Sequence, residues 1–200
     1  MTVAANTLRE IAGLGQEPLR LTDSALVLID FQHTYRTGTM KLTGVEEALL
    51  EAKKLLQIAR VNKVPVFHIQ HDSGEGSLYD IRAAIGAISD EVAPIEGESV
   101  ITKHYPNAFV GTDLDAQLKA RGITKLVLAG FMTHMCVNST AHGGFNLGYA
   151  ATIVASATAT RPLQAANGKV LTAEQVHDGA LASSRDLYAT IVDRVDDLKV

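Results

Sequence analysis

The sequence predicts an α/β protein: an open, mostly parallel sheet between layers of helices. Three observations carry that expectation. Short apolar runs without polar alternation stand at residues 25–29 (ALVLI), 64–69 (VPVFHI) and 125–129 (KLVLA), as parallel strands covered on both faces require. Helical patterns separate them: residues 45–60 (VEEALLEAKKLLQIAR) set Leu49, Ala52, Leu56 and Ala59 on one face with charges opposite, and 113–121 and 173–187 are amphipathic too. Strand followed by helix, repeated, is the order of right-handed crossover units.

Taken in order, residues 1–20 read as an N-terminal arm and 21–200 as one domain. The first strand ends in Asp30, and the helix at 45–60 leads to a second strand ending in Gln70-His71-Asp72. Next comes an irregular excursion, 72–95, containing Gly74, Gly76 and Gly86; loops this long inside compact domains often carry function. Weaker strands are expected at 99–102, 151–154 and 190–192, the first of them ending in Lys103-His104. The run at 125–129 passes through Gly130 into FMTHMC, and Gly148 is read as the left-handed cap of the helix that follows.

Composition narrows the function. Hydrophobic residues make up 46% and charged residues 20% of the chain, an ordinary globular balance. The net charge of −4 comes without a basic run, so nucleic acid is not an expected partner. The N-terminus (MTVAANTLREIAGLG) has neither a basic leader nor a continuous apolar stretch, so neither secretion nor membrane insertion is expected. Cys136 is the single cysteine, which excludes an internal disulfide and suits the reducing cytoplasm.

Ligands of open α/β sheets sit beyond the carboxyl ends of the strands, and there the sequence gathers an acid (Asp30), a lysine (Lys103) and a thiol (Cys136). Each alone has an ordinary explanation: a turn cap, a solvated charge, a small buried hydrophobe. Together they suggest a nucleophile. A thiol at a helix N-terminus beside an ammonium is expected to ionise below its usual value of about 8.5.

The stretches ALVLIDFQHTY, TKHYPNAFVGTDLDAQLKARGITKLVLAG and GFMTHMCVNSTAHGGFNLGY resemble the isochorismatase-like cysteine hydrolases, a family that includes nicotinamidases and N-carbamoylsarcosine amidohydrolase. The resemblance covers roughly residues 20–192. It implies a three-layer αβα fold on a six-stranded sheet of order 3-2-1-4-5-6, and hydrolysis of a small molecule. It makes Asp30 the proton-handling acid, Lys103 its cationic partner and Cys136 the nucleophile. It further implies a cis peptide between Phe131 and Met132, with the N–H groups of Met132 and Cys136 forming an oxyanion hole. In that sheet order Lys103 lies two strands from Asp30, about 10 Å at usual spacing, a gap a long flexible side chain must close. Oligomers are common among such proteins, so a homo-oligomer is expected, with the arm available to reach across an interface.

Departures from the family pattern sharpen the expectation. Isochorismatases proper cleave a vinyl ether and lack the cysteine, so Cys136 favours attack on an amide, carbamoyl or ureido carbon. Nicotinamidases carry Asp-x-His after the second strand, whereas His71 and Asp72 are adjacent here. Adjacent residues of an extended segment point to opposite sides, so no shared metal, and no cofactor, is expected. His71 either contacts substrate or merely ends its strand. Gln32, Tyr35, His104, Tyr105 and Phe109 are substrate-binding candidates by proximity to the motifs, with simple packing as the alternative. Thr133 could cap the helix or face the pocket; since a cap would occupy the Cys136 N–H, the helix is expected to begin near Cys136 with Thr133 facing the pocket. Gly143 and Gly144 weaken a helix unless a close contact offsets them; His134 and His142 read as surface or interface residues. The competing readings are an isochorismatase-type ether hydrolase, a non-catalytic small-molecule-binding member of the fold, and a thiol redox protein, the last disfavoured by the lack of a resolving cysteine.

Overall fold

A computed structural model describes residues 6–200; residues 1–5 of the expected arm lie outside the described residues. The rest of the arm contains a short helix, α1 (Leu8–Ile11), closed by a capping box between Thr7 and Glu10. The arm folds onto its own chain: the Leu8 N–H donates to the Asp186 carboxylate at 2.9 Å and the Arg9 guanidinium to the Leu187 carbonyl at 2.8 Å.

The elements then run β1 (Ala25–Ile29), α2 (Val45–Val61), β2 (Val66–His71), β3 (Ser99–Lys103), α3 (Leu114–Ala120), β4 (Lys125–Phe131), α4 (Asn138–Asn146), β5 (Ala150–Ala159), β6 (Leu163–Gln164), β7 (Val170–Leu171), α5 (Ala173–Asp186) and β8 (Thr190–Val192). The main sheet has six strands in the order β3-β2-β1-β4-β5-β8, all parallel. This is the expected 3-2-1-4-5-6 topology, with β8 as the sixth strand.

Alternation along β1 builds both halves of the core. Leu26 and Leu28 join Leu49, Leu55 and Leu56 of α2 on one face. Val27 and Ile29 join Leu114 and Leu118 of α3, Val137 and Ala141 on the other. Truncating a fully buried leucine such as Leu55 in a core of this kind costs about 2–5 kcal/mol. With both faces covered, only the strand ends remain open to a ligand.

The structure departs from the sequence expectations in two places. β5 continues to Ala159, five residues past the predicted end, because the small residues of ASATA fit against β4 across an irregularity between Leu128 and Gly130. The antiparallel ribbon β6–β7, turning through Asn167-Gly168, has no counterpart among the expected strands.

One buried polar cluster ties β2 to the segment before β3. Glu98 accepts from Arg60 at 2.8 Å and meets the His68 ring at 2.7 Å. Burial raises the Glu98 pKa, but hydrogen bonds from Arg60 and His68 outweigh it and bring it down to about 2. A depressed carboxylate contributes stability above its unfolded pKa, and that contribution is lost as pH falls toward the folded one. Acid titration of stability should therefore show a loss between about pH 4.5 and 2. Glu98→Gln is expected to be less stable at neutral pH and to lack that part of the loss; parallel acid profiles for the two proteins would disprove it.

Candidate active site

Three segments meet at the carboxyl edge of the sheet. β1 ends at Asp30, whose backbone is left-handed (φ 53), a conformation Asp tolerates better than most side chains. The turn is held by the Asp30 N–H donating to the Ile69 carbonyl at 2.9 Å, while the Asp30 carbonyl accepts from the Gln32 N–H at 2.7 Å. β4 ends in a cis peptide between Phe131 and Met132. A single wide turn of π type, Thr133–Val137, then carries Cys136 into α4. Such turns are frequent at functional sites.

Lys103, the last residue of β3, stands in register with His71 on β2. Its side chain crosses the end of β2 and closes the two-strand gap. Nζ lies 2.7 Å from Asp30 Oδ2, 3.4 Å from Cys136 Sγ and 3.0 Å from His71 Nδ1. Asp30 and Lys103 are fully buried and Cys136 is nearly so. The contact with Asp30 is a close ion pair outside hydrogen-bond angles, so neither carboxylate oxygen has a hydrogen-bond partner among the described residues. That leaves the carboxylate oriented by charge and open to a proton.

The electrostatics correct the expectation of a preformed thiolate. Burial, followed by the neighbouring Asp30 charge, pushes the Cys136 thiol up to about 12 against the pull of Lys103. Burial likewise raises the Asp30 pKa, with Lys103 opposing. The ammonium favours the thiolate, but desolvation dominates. At rest the sulfur is a thiol.

Cys136 forms one wall of a cavity of about 150 Å³ lined by Tyr35, His71, Tyr79, Pro106, Met132 and Met135. A larger open groove of about 620 Å³ between α2 and α5 contains none of the three clustered residues; the chemistry selects the smaller space. Two sequence candidates, Tyr35 and His71, line this cavity.

The other candidates sit elsewhere. Gln32 is buried with its amide committed to backbone: Nε2 donates to the His71 and Gly86 carbonyls and Oε1 accepts from the His71 N–H. Thr133 neither caps a helix nor lines the cavity; its hydroxyl lies 3.0 Å from His177 Nδ1 on α5. His104 meets the Asp72 carbonyl at 2.7 Å, Tyr105 is exposed, and Phe109 stacks on Tyr149. Proximity in sequence misled here because neighbours in this loop face different ways: His104 and Tyr105 do not line the cavity, whereas Pro106 does. His134 bonds the Thr160 hydroxyl, and the His142 ring packs on Tyr188.

Sequence reasoning missed Tyr79, Pro106 and Met135. Tyr79, edge-on to the His71 ring at 4.9 Å, comes from the long excursion, whose length was the only signal. The paired glycines are explained: a Cβ at Gly143 would collide with the Asn107 side chain, and one at Gly144 would press on Phe109. The helix behind Cys136 thus lies directly against the loop after Lys103. His71 and Asp72 diverge, His71 toward Lys103 and Asp72 toward the Gly74 N–H and Arg82.

A parallel α/β sheet with a buried acid, lysine and thiol at its switch point is the class this architecture defines. The chain belongs to the isochorismatase family, a family of hydrolases, whose isochorismatase domain matches residues 24–194. It is 39% identical over 172 residues to the uncharacterized isochorismatase family protein YddQ of Bacillus subtilis, covering 84% of this chain and 94% of that one. It is 32% identical over 192 residues to the secreted isochorismatase effector Isc1 of Verticillium dahliae, covering 96% and 98%. A crystal structure of an isochorismatase (PP1826) from Pseudomonas putida superposes with a TM-score of 0.91 at 34% identity, covering 94% of this chain and 97% of that one. A more distant relative, the ureidoacrylate amidohydrolase RutB of Stutzerimonas stutzeri, is 28% identical over 204 residues, covering 76% and 82%. No helix among the described residues is long and apolar enough to cross a membrane.

Proposed function

We propose that this protein is a cysteine hydrolase that cleaves a C–N bond of a small amide, carbamoyl or ureido compound through a thioester. The observation that carries the reading is the Lys103 ammonium lying between Asp30 and Cys136, 2.7 Å from the carboxylate and 3.4 Å from the sulfur, behind a small cavity. RutB, an amidohydrolase of a ureido compound by name, is a supporting relative.

In this reading substrate entry displaces water, and the Cys136 S–H proton passes to Asp30. The sulfur electron pair attacks the carbonyl carbon, and the Met132 and Cys136 N–H groups hold the resulting oxyanion. Collapse breaks the C–N bond as Asp30 returns its proton to the departing nitrogen. Asp30 then takes a proton from water, whose oxygen attacks the thioester, and Cys136 leaves as thiolate to be reprotonated. Lys103 keeps the carboxylate charged until the proton arrives and steadies the sulfur's charge afterwards.

A cavity of about 150 Å³ is small beside the usual ligand pocket of roughly 300–1,000 Å³, so the acyl portion is small. A working thiol without a disulfide partner suits a reducing compartment, and this reading places the protein in the cytoplasm, as a homo-oligomer.

The test is ammonia or amine release from a panel of small primary amides, carbamoyl and ureido compounds, with isochorismate as the competing ether substrate. Wild type is expected to turn over at least one C–N substrate and Cys136→Ala none, a loss of about 10⁴-fold or more. Equal activity in both proteins, or turnover of isochorismate alone, would sink the reading.

A further inference from the structure

We propose that His71 is a positioning residue of this site: its Nδ1 accepts one N–H of Lys103 and so holds the ammonium between Asp30 and Cys136. The inference rests on the hydrolase reading for its purpose but not for its geometry.

A lysine ammonium carries three donors on a freely rotating end. Here three groups surround it: Asp30 Oδ2 as an ion pair at 2.7 Å, and His71 Nδ1 at 3.0 Å and Cys136 Sγ at 3.4 Å as acceptors. His71 is uncharged, and its position is fixed. Its backbone is clamped on both sides by the Gln32 amide, at 2.9 Å to its N–H and 2.9 Å to its carbonyl. Its ring stands edge-on to Tyr79, and Nε2 lies 3.0 Å from the Ser73 hydroxyl. For Nδ1 to accept from the ammonium, the ring proton must sit on Nε2 and be donated to Ser73.

Charge agrees with that tautomer. Burial first, then Lys103, lowers the His71 pKa to about 4, so the ring is neutral near pH 7. The charged and titratable groups bearing on it are Lys103, His104 and Asp72, with Tyr79 against its ring, and those bearing on the sulfur are Asp30, Lys103, Tyr35 and Tyr79. Without the imidazole, the third ammonium proton would be buried with nothing to bond, and Lys103 would settle on its closest charged partner, Asp30, away from sulfur. The sulfur would then ionise less readily.

Two measurements test this without a substrate, because Cys136 is the only thiol in the chain. Nitrogen-15 spectra of histidine-labelled protein at pH 7 should show His71 neutral with its proton on Nε2; a proton on Nδ1 overturns the proposal. Second, the rate of Cys136 alkylation by iodoacetamide is followed from pH 6 to 10. His71→Phe is expected to slow it by about tenfold, one pH unit's worth of thiolate. His71→Asn, whose amide oxygen stands near the place of Nδ1, should keep it within about threefold of wild type on the same scale. Rates unchanged in His71→Phe, or Asn no better than Phe, would refute the positioning role. If His71→Phe does not fold, Ser73→Ala, which releases the far side of the ring, replaces it and should slow alkylation in the same direction. Failure of the substrate panel with these results intact would remove the hydrolase reading and leave the His71 assignment standing.

Discussion

Asp30→Asn is expected to make Cys136 more reactive and the enzyme less active. The carboxylate raises the thiol's pKa through its charge, whereas Lys103 lowers it. An amide in its place removes the opposing charge and leaves the ammonium facing sulfur alone, so the folded thiol's pKa falls. Alkylation by iodoacetamide at pH 8 should accelerate by at least about tenfold, one unit's worth of pKa. Hydrolysis should fall by about 10²–10⁴-fold, the usual contribution of a general acid and base. Opposite movements separate a proton shuttle from a residue that only supports the fold, which would lower both rates. Parallel decreases in alkylation and turnover would count against Asp30 as the shuttle.

Lys103→Met is expected to cost about 3–5 kcal/mol of stability near neutral pH, the range for removing one partner of a buried ion pair. Both side chains are fully buried, and Asp30 has no hydrogen bond to fall back on among the described residues. The pH dependence has a definite sign. Burial raises the Asp30 pKa even with Lys103 present, and without the ammonium it rises further. A group with a raised folded pKa supports the folded state below its unfolded value, and that support is lost as pH rises through the folded pKa. The variant's deficit should therefore be largest at pH 7 and shrink near pH 4, where Asp30 takes a proton instead of standing as an isolated charge. Urea unfolding of both proteins at the two pH values measures it; a deficit independent of pH would show that the pair is not the cause.

Much of the fold was legible because burial on both faces leaves a plain mark. β1 runs over the same five residues that ALVLI spans, and α2 ends one residue beyond the predicted helix. β5 was cut short because ASATA is small and mixed in polarity, so no periodicity separates it from loop; pairing with β4 makes it a strand. At the edge, Asp30, Lys103 and Cys136 could be named because each closes or follows a strand. Their meeting could not, since it depends on how far a lysine reaches across β2. The charge state of Cys136 was misjudged for a related reason: local sequence gives the helix end and the basic neighbour, but desolvation is a property of the assembled site. Tyr79 was invisible, as no local pattern points a loop residue toward a sulfur far along the chain.

The excursion bearing Tyr79 is fastened in a particular way. Gln32 and Gln70 both donate to the Gly86 carbonyl, and the Thr34 hydroxyl bonds to the carbonyls of Leu78 and Ile85. Every one of these anchors grips the excursion by its main chain. Some of its side chains also hold its path: Asp80 accepts from the Gly76 and Arg82 N–H groups, Val92 is buried in the core, and Gly86 has no room for a Cβ beside the Asp80 carbonyl. The remaining, exposed positions can be rewritten while the chain follows the same path, which makes them the natural place for divergence, or a designer, to retune which molecule the thiol meets.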